Sequence, residues 1–291
     1  MIHINLGRMN TLKVEKEVDF GYYLDGGPTY GRILLPHGEV RHEGKLRRGE
    51  EVECFIYLDQ EERLVATMQR PFAQVGQFAY LEVAWVNQYG AFLKWGLMKD
   101  LFVPFREQKM RMEVGQRYIV YVMLDEESYR IMATAKVERY LFNTASALRE
   151  DRRRMPRYKV GDEVSCLVQQ KTDLGFKVIV DQQYGGVIYD TQVFRELHTG
   201  DALQAYIQQV RPDGKLDLML QRPGQDAVKD FSDILLDYLL TNNGHTVLCD
   251  KSPAEDIYAT FGVSKKVFKK AVGDLYKRRL IEISEEGLTL L

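Results

Sequence analysis

The sequence predicts a mainly β protein in which three small barrels in a row precede an α+β domain. A unit in which a glycine opens a strand of aromatic and β-branched residues occurs three times, at a period of about 70 residues. Beyond residue 225 the pattern changes to apolar residues at helical spacing. So long a period is typical of independent domains in tandem rather than of a solenoid.

Length and composition suit a globular chain of several domains. The 291 residues exceed one ordinary core, and contents of 45% hydrophobic and 28% charged residues are unexceptional. No apolar run reaches the roughly 18 residues of a membrane helix, and the N-terminus lacks a signal-peptide profile. The 3 cysteines stand far apart without CxxC spacing, which argues against disulfides or structural zinc and favours a reducing compartment. We therefore expect a cytoplasmic protein with no membrane partner.

Each copy of the repeated unit contains short strand-like runs separated by turns rich in glycine and proline. The predicted domains are residues 1–71, 72–137 and 158–224. Examples of the predicted strands are Glu51–Leu58 in the first copy, and Arg117–Leu124 and Tyr129–Thr134 in the second. A lone hairpin would be unstable and its edges exposed, so about five strands per copy predict a closed all-β barrel.

Residues 138–157 interrupt the β pattern. Their apolar residues fall at helical spacing until Pro156, and six arginines against three acidic residues give a net charge of +3. We expect a basic helical linker. Its arginines either lie on a solvated helix, where cations suit the C-terminal end, or contact phosphate groups.

Residues 225–291 predict three helices and a terminal hairpin. The first helix is expected over Val228–Leu240. The second helix follows Ser252, which we expect to be its N-cap, and Ser264 caps the third. Three helices and a hairpin within about 65 residues describe a winged helix, a relative of the helix-turn-helix.

The third helix of this domain is basic. Between Ser264 and Arg279 the sequence has seven basic residues and one acidic residue, although the rest of the domain is acidic. The apolar stripe of the helix uses other positions and leaves one basic end exposed. That end consists of Lys265, Lys266, Lys269 and Lys270. It is either a solvated helix face or a phosphate-binding surface.

Residue patterns of familiar catalytic sites are missing from the sequence. The 5 histidines fall in different segments, and HExxH, GxSxG, P-loop and GxGxxG motifs are absent. We therefore expect no enzymatic activity, no cofactor and no metal site.

The central copy carries the clearest binding signal, in the stretch from Tyr89 to Phe105. Tyr89, Phe92, Trp95 and Phe102 lie close together in the sequence. Because strand residues alternate between inside and outside, these aromatics cannot all enter a small core. Those that face outward can stack on nucleobases, at about 1–3 kcal/mol per base. The alternative for each residue is packing in the core or at a domain contact.

Each copy resembles the S-one-type RNA-binding barrel of ribosomal proteins, an OB-fold. In that family a D-F-G-x-F strand supplies two aromatics, a G-L-V-H strand end supplies a histidine, and a D-x-x-x-R turn supplies aspartate and arginine on one nucleic-acid-facing patch. The first copy matches with Phe20 and Tyr23 as aromatics and with Asp59 and Arg63 in the turn, but it has Pro36 at the histidine position.

The other two copies match the same motif less uniformly. The second has Tyr89 and Phe92 as aromatics, Pro104 at the histidine position, and Asp125 and Arg130 across a turn that is one residue longer. The third departs most, and the residues at its matching positions are Leu174, Lys177, Tyr189, Arg211 and Lys215. The resemblance therefore implies base stacking by the first two copies and phosphate contacts by the third.

The order of the parts also resembles a family of bacterial proteins. Three such barrels and a winged helix, with GLMKDLFVPFREQKM in the second barrel and SKKVFKKAVGDLYKRRLI in the last domain, are similar to the conserved virulence factor B family. This resemblance implies RNA binding in the cytoplasm and a post-transcriptional influence on gene expression. The expected partner is single-stranded RNA. Two alternatives are a transcription regulator that binds DNA through its winged helix, and a protein-interaction scaffold.

Overall fold

The computed structural model describes residues 4–41, 44–190, 193, 196–220, 225–284 and 286–291, with the side chains of 225–230 left out. It divides into two compact units, Met1–Tyr140 and Leu141–Leu291. Residues 222–224, the end of the third predicted domain, lie outside the described residues. Among the helices that are described, none has both the length and the apolar character needed to cross a membrane.

The first unit begins with a closed five-stranded barrel. Its strands are β1 (Met9–Val18), β2 (Gly21–Asp25), β3 (Arg32–Pro36), β4 (Glu51–Leu58) and β5 (Leu64–Thr67), and a short helix, α1 (Gly27–Tyr30), joins β2 to β3. The strand order is β1-β2-β3-β5-β4, with β3 and β5 parallel. Leu12 and Val14 of β1 are buried and their neighbours Thr11 and Lys13 are exposed, the alternation typical of a small barrel.

The second barrel repeats this order with one gap. It contains β6 (Phe78–Val86), β7 (Gly90–Lys94), β8 (Leu101–Pro104), β9 (Arg117–Leu124) and β10 (Ile131–Thr134), in the order β10-β9-β6-β7-β8. Strands β8 and β10 are neighbours without a hydrogen-bonded ladder between them in the described part of the chain. Phe55 of β4 belongs to the core of this barrel and packs edge-on against Trp95, with ring centroids 5.6 Å apart. The two barrels of the first unit therefore share core packing.

The third barrel is closed and stands in the second unit. Its strands are β11 (Glu163–Thr172), β12 (Gly175–Val180), β13 (Tyr184–Tyr189), β14 (Ala202–Val210) and β15 (Leu216–Met219). The order β11-β12-β13-β15-β14 and the parallel pair β13–β15 match the first barrel. Five strands in this order form the OB-fold expected from the sequence.

The segment expected to be one helix over 138–157 is broken into short pieces. A 3₁₀ turn at Val137–Tyr140 is followed by helix α2 (Ala145–Glu150) and by a 3₁₀ turn at Arg152–Arg154. Side chains that cap these pieces separate them, because the Thr144 hydroxyl accepts the Ala147 N–H at 3.2 Å and the Asp151 carboxylate accepts the Arg153 N–H at 2.9 Å.

Asn143 fastens the start of this linker to the third barrel. Its side-chain amide donates to the carbonyl oxygens of Gly185 and Gly214 at 2.7 and 2.9 Å, and its Oδ1 accepts the Gly185 N–H at 2.7 Å. Three hydrogen bonds from one buried side chain leave little freedom at this junction.

The C-terminal domain is a winged helix, as the sequence predicts. It contains α3 (Gln225–Thr241), β16 (His245–Thr246), α4 (Ala254–Phe261), α5 (Lys265–Lys277), β17 (Ile281–Ser284) and β18 (Gly287–Leu290), and the sheet order is β16-β18-β17. Phe231, Ile257, Phe268 and Leu288 meet in its core. Helix α4 begins one position later than expected, after Pro253, because the Ser252 hydroxyl instead accepts the Cys249 N–H at 2.9 Å.

Candidate nucleic-acid interface

A glycine opens the second strand of every barrel because the neighbouring strand passes too close for a side chain. A Cβ on Gly21, Gly90 or Gly175 would lie 2.2–2.3 Å from a carbonyl oxygen of the facing strand. No real Cβ tolerates that distance, so only glycine fits. The repeated glycine of the sequence is therefore a packing requirement, and it fixes the backbone beside the predicted aromatic residues.

The residue before each of these glycines is exposed. Phe20, Tyr89 and Leu174 have 57%, 66% and 69% of their surface accessible. In the second barrel the Asn87 carboxamide oxygen accepts the N–H groups of Tyr89 and Gly90 at 2.8 and 3.2 Å, which holds the turn in shape. An ordered turn thus holds the aromatic side chain of Tyr89 in a solvent-exposed position.

A β-bulge in β6 decides which side chains stand beside Phe92. The pairing between β6 and β7 shifts between Val83 and Trp85, so that Ala84 is the extra residue and Trp85 lies opposite Phe92. Leu81 and Val83 are buried, and strict alternation would also send Trp85 into the core. The bulge reverses that direction, and 45% of Trp85 is exposed.

Trp85, Phe92 and Phe102 form what we term the aromatic platform. Trp85 lies flat on Phe92, with ring centroids 3.7 Å apart and an angle of 4° between the rings, and Phe102 packs on Phe92 at 4.9 Å. The Trp85 indole N–H donates to Asp100 Oδ2 at 2.9 Å, which fixes the ring in its plane. The exposed indole is the largest stacking surface of this platform, and sequence reasoning missed it because the bulge leaves no residue signature.

Trp95, which the sequence placed in the same aromatic group, has a different role. It is 4% exposed, packs against Phe55, and donates its indole N–H to the Lys99 carbonyl at 2.6 Å. Trp95 therefore supports the loop beside the platform from the core side.

The platform lies in a cleft of the first unit. This cleft, the second-barrel cleft, has a volume of about 1020 Å³ and is lined by the platform, by Tyr89, and by residues 57–60 and 62 of the first barrel. Three cations also line it, namely Lys99, Arg106 and Arg130. Aromatic rings and cations in one groove are the combination used for single-stranded nucleic acids.

Acidic partners hold the arginines of the cleft. Arg130 contacts the carboxylate of Glu62, and Arg106 lies 3.1 Å from Asp125. Hydrogen bonds from the hydroxyl and the N–H of Ser128 at 2.7 and 3.1 Å, with Arg106 nearby, lower the pKa of Asp125. Asp125 is therefore ionised at neutral pH and anchors its turn.

The turn before each predicted basic residue takes an unusual backbone. Glu62, Tyr129 and Gly214 all have positive φ angles, of 63°, 55° and 82°. A left-handed conformation costs a non-glycine residue about 1–2 kcal/mol, and such strain clusters at functional sites. The residue before the predicted basic position is therefore strained in the first two barrels, whereas glycine adopts the same conformation in the third without that cost.

The predicted site of the first barrel is assembled only in part. Phe20 and Tyr23 meet edge-to-face with ring centroids 6.3 Å apart. Arg63 is paired with Asp59 and Glu61, both at 2.8 Å, and no contact in the described residues joins it to the two rings. Burial alone would raise the pKa of Asp59, but hydrogen bonds from Arg63 outweigh it and lower that pKa.

The corresponding site of the third barrel is filled by its own side chains. Arg211 donates to Asp217 at 2.8–2.9 Å and also contacts the Tyr189 hydroxyl, which itself lies 3.3 Å from Asp217. Asp217 is buried, so this arrangement is a structural network that satisfies a carboxylate. Lys177 is exposed on β12, and Lys215 pairs with Asp213 at 3.6 Å.

The basic end of α5 is a second candidate surface. Lys266, Lys269 and Lys270 are exposed, and within the described residues none has a carboxylate partner. We name them the α5 lysine face. Lys265 differs, because it is half-buried and donates to the Lys251 carbonyl at 3.3 Å. Ser264 caps the helix, and its hydroxyl accepts the Val267 N–H at 3.4 Å.

Comparison with known proteins identifies two domain types in this chain. The family model described as the S1 domain, the S-one type above, matches residues 6–69, and the model described as the CvfB-like winged helix domain matches residues 233–290. A solved structure from Streptococcus pneumoniae TIGR4, described as a multidomain protein with nucleic acid binding domains, is 24% identical, covers 98% of each chain and has a TM-score of 0.41.

Two curated relatives align along nearly the whole chain. A Bacillus subtilis (strain 168) protein named "Uncharacterized protein YitL" is 31% identical over 290 residues, which is 97% of this chain and 92% of the relative. "Conserved virulence factor B" of Staphylococcus aureus (strain N315) is 23% identical over 275 residues, 92% of this chain and 88% of the relative. Because the likeness spans both units and includes the family's own winged-helix type, the chain belongs to the conserved virulence factor B family.

Proposed function

We propose that this protein binds single-stranded RNA in the cytoplasm and regulates gene expression after transcription, without a catalytic step. The observation that carries the proposal is the aromatic platform, where Trp85 presents an ordered and exposed indole inside a groove lined by cations. The second barrel is its principal binding site.

The form of the platform favours unpaired bases. A base inside a duplex has both faces covered by its neighbours, whereas an unpaired base can leave the strand and lie on an aromatic ring. Trp85 is held by Phe92 on one face and by Asp100 at its edge. Because the ring is already ordered, it loses little conformational entropy when a base stacks on it.

Charge in the same groove suits the sugar-phosphate backbone. Among the described residues, Arg130 pairs with Glu62 and Arg106 with Asp125, while Lys99 donates to two backbone carbonyls at 3.0 and 3.2 Å. The net charge of the whole chain is -2, so attraction to RNA depends on these local cations rather than on the overall field.

A competition experiment tests the proposal. We expect an unstructured RNA oligonucleotide to bind more tightly than duplex DNA of the same length, with log K falling by about 0.7 per phosphate contact for each unit of log salt. Duplex DNA that binds as well as the RNA would refute the proposal in its present form.

The α5 lysine face supports a second candidate function. Helices of this kind enter the major groove of DNA in helix-turn-helix proteins, and three exposed lysines suit phosphate contacts there. If the winged helix binds duplex DNA, substitution of the α5 lysine face will abolish DNA binding and leave RNA binding by the second barrel intact.

A further inference from the structure

The second-barrel cleft contains an acidic residue from the first barrel at the point where a phosphate group would bind. Glu62 belongs to the turn between β4 and β5, yet its carboxylate contacts the guanidinium of Arg130 in the second barrel. Both residues line the cleft, and both side chains are more than half exposed. The Glu62 carboxylate is therefore accessible to solvent, and its side chain can move away from Arg130 into water.

The turn that presents Glu62 is well ordered. Asp59 Oδ1 accepts the N–H groups of Glu61 and Arg63 at 2.8 and 3.0 Å, and Glu62 itself has a φ angle of 63°. Lys99 of the second barrel donates to the carbonyl oxygens of Leu58 and Asp59, just before the turn. The carboxylate thus reaches Arg130 from a turn that is fixed at both ends.

We propose that Glu62 is an affinity-determining residue of the second-barrel site. Its carboxylate occupies this site, at Arg130, in the free protein and leaves it when nucleic acid binds. This inference rests on the proposed function. A phosphate of the bound strand takes the place of the carboxylate on Arg130, and Glu62 moves into water. Each binding event then exchanges one ion pair for another, so the first barrel sets how much affinity the second barrel gains from Arg130.

This exchange also makes stacking necessary. A strand that offers only phosphates exchanges one anion for another at Arg130 and gains little. A strand whose base also reaches Trp85 gains the stacking interaction in addition. Glu62 therefore lowers the affinity for polyanions in general and leaves recognition to the aromatic platform.

The test compares two substitutions in one turn. Glu62→Gln removes the carboxylate from Arg130, and Glu61→Gln removes an equal charge from a neighbour whose partner is Arg63, at 2.8 Å. Since exposed ion pairs are weak, we expect Glu62→Gln to tighten RNA binding by about 2- to 5-fold. Glu61→Gln, the matched control, should change it less. The gain should shrink as salt is raised, because salt screens the ion pair.

A double substitution separates this mechanism from a general charge effect. In an Arg130→Ala background, Glu62→Gln has no ion pair to break and should leave RNA affinity unchanged. Equal gains from Glu61→Gln and Glu62→Gln, or an undiminished gain without Arg130, would refute the role of Glu62 while leaving RNA binding in place. Failure of the unmodified protein to bind RNA would instead refute the proposed function, and this inference with it.

Discussion

Trp85→Ala is the most direct test of the aromatic platform. A base stacked on the indole contributes about 1–3 kcal/mol, so the substitution should raise the Kd for single-stranded RNA by about 5- to 150-fold. The same change also lowers stability, since Trp85 is 45% exposed and the covered half of its surface corresponds to about 2–3 kcal/mol. Affinity should therefore be measured at a temperature where thermal unfolding shows that the variant is folded.

The chain has 2 tryptophans, which makes the assay specific. In a Trp95→Phe variant the remaining tryptophan is Trp85, and RNA should quench its emission, excited selectively over that of the tyrosines, as a base stacks on it. In a Trp85→Phe variant the remaining tryptophan is Trp95, which is 4% exposed and should not respond. Trp85→Phe keeps an aromatic ring, so its loss of affinity should be smaller than that of Trp85→Ala.

Phe78→Ala is the matched control, because this side chain is buried in the second barrel and does not line the second-barrel cleft. Removing this core side chain should cost about 3–5 kcal/mol of stability, yet the protein that remains folded should bind RNA normally. A folded Trp85→Ala variant with unchanged affinity, or a Trp85 signal that RNA does not alter, would refute base stacking at this position.

Three further predictions follow from the other sites. If the α5 lysine face contributes to RNA binding, alanine at its three positions should weaken binding of single-stranded RNA with an unchanged Tm. The slope of log K against log salt should then flatten by about 2, at 0.7 per lost contact. An unaltered salt slope for RNA together with unaltered binding of duplex DNA would mean that this surface is only solvated. Arg211→Ala should lower stability by about 1–3 kcal/mol, because buried Asp217 loses its partner, and RNA affinity measured on the folded protein should not change. Burial raises the pKa of the Cys54 and Cys166 thiols to about 12, so both should resist alkylation at pH 8 until the protein is unfolded. Cys249 is also buried, but it keeps 9% of its surface accessible and a hydrogen bond from the Lys251 backbone lowers its pKa, so it should be the first of the three to react.

The sequence predicted the strands well because alternation and turn residues are local signals. The expected strands Glu51–Leu58 and Arg117–Leu124 are observed with the same bounds. The strand expected over Tyr129–Thr134 begins at Ile131, since Tyr129 takes a left-handed backbone that a strand cannot continue through.

The candidate site was predictable only in outline. The sequence identified Tyr89, Phe92 and Arg130, and the structure places all three along one cleft. It did not identify Trp85, whose direction depends on one extra residue in β6. Nor did it reveal Glu62 beside Arg130, since that contact joins two barrels and has no local signal in either. Side-chain direction after a bulge and contacts between domains are properties of the folded chain.

A bulge lies at the corresponding position of all three barrels, so the chain presents three different residue pairs on one backbone arrangement. The paired residues that follow it are Lys16 and Tyr23 in the first barrel, Trp85 and Phe92 in the second, and Gln170 and Lys177 in the third. One backbone position thus displays a cation beside an aromatic ring, two stacked rings, and an amide beside a cation. The backbone arrangement at this position is the same in the three barrels, while the chemistry of the cross-strand pair differs. Exchange of that pair between barrels should therefore transfer binding properties with little disturbance of the fold.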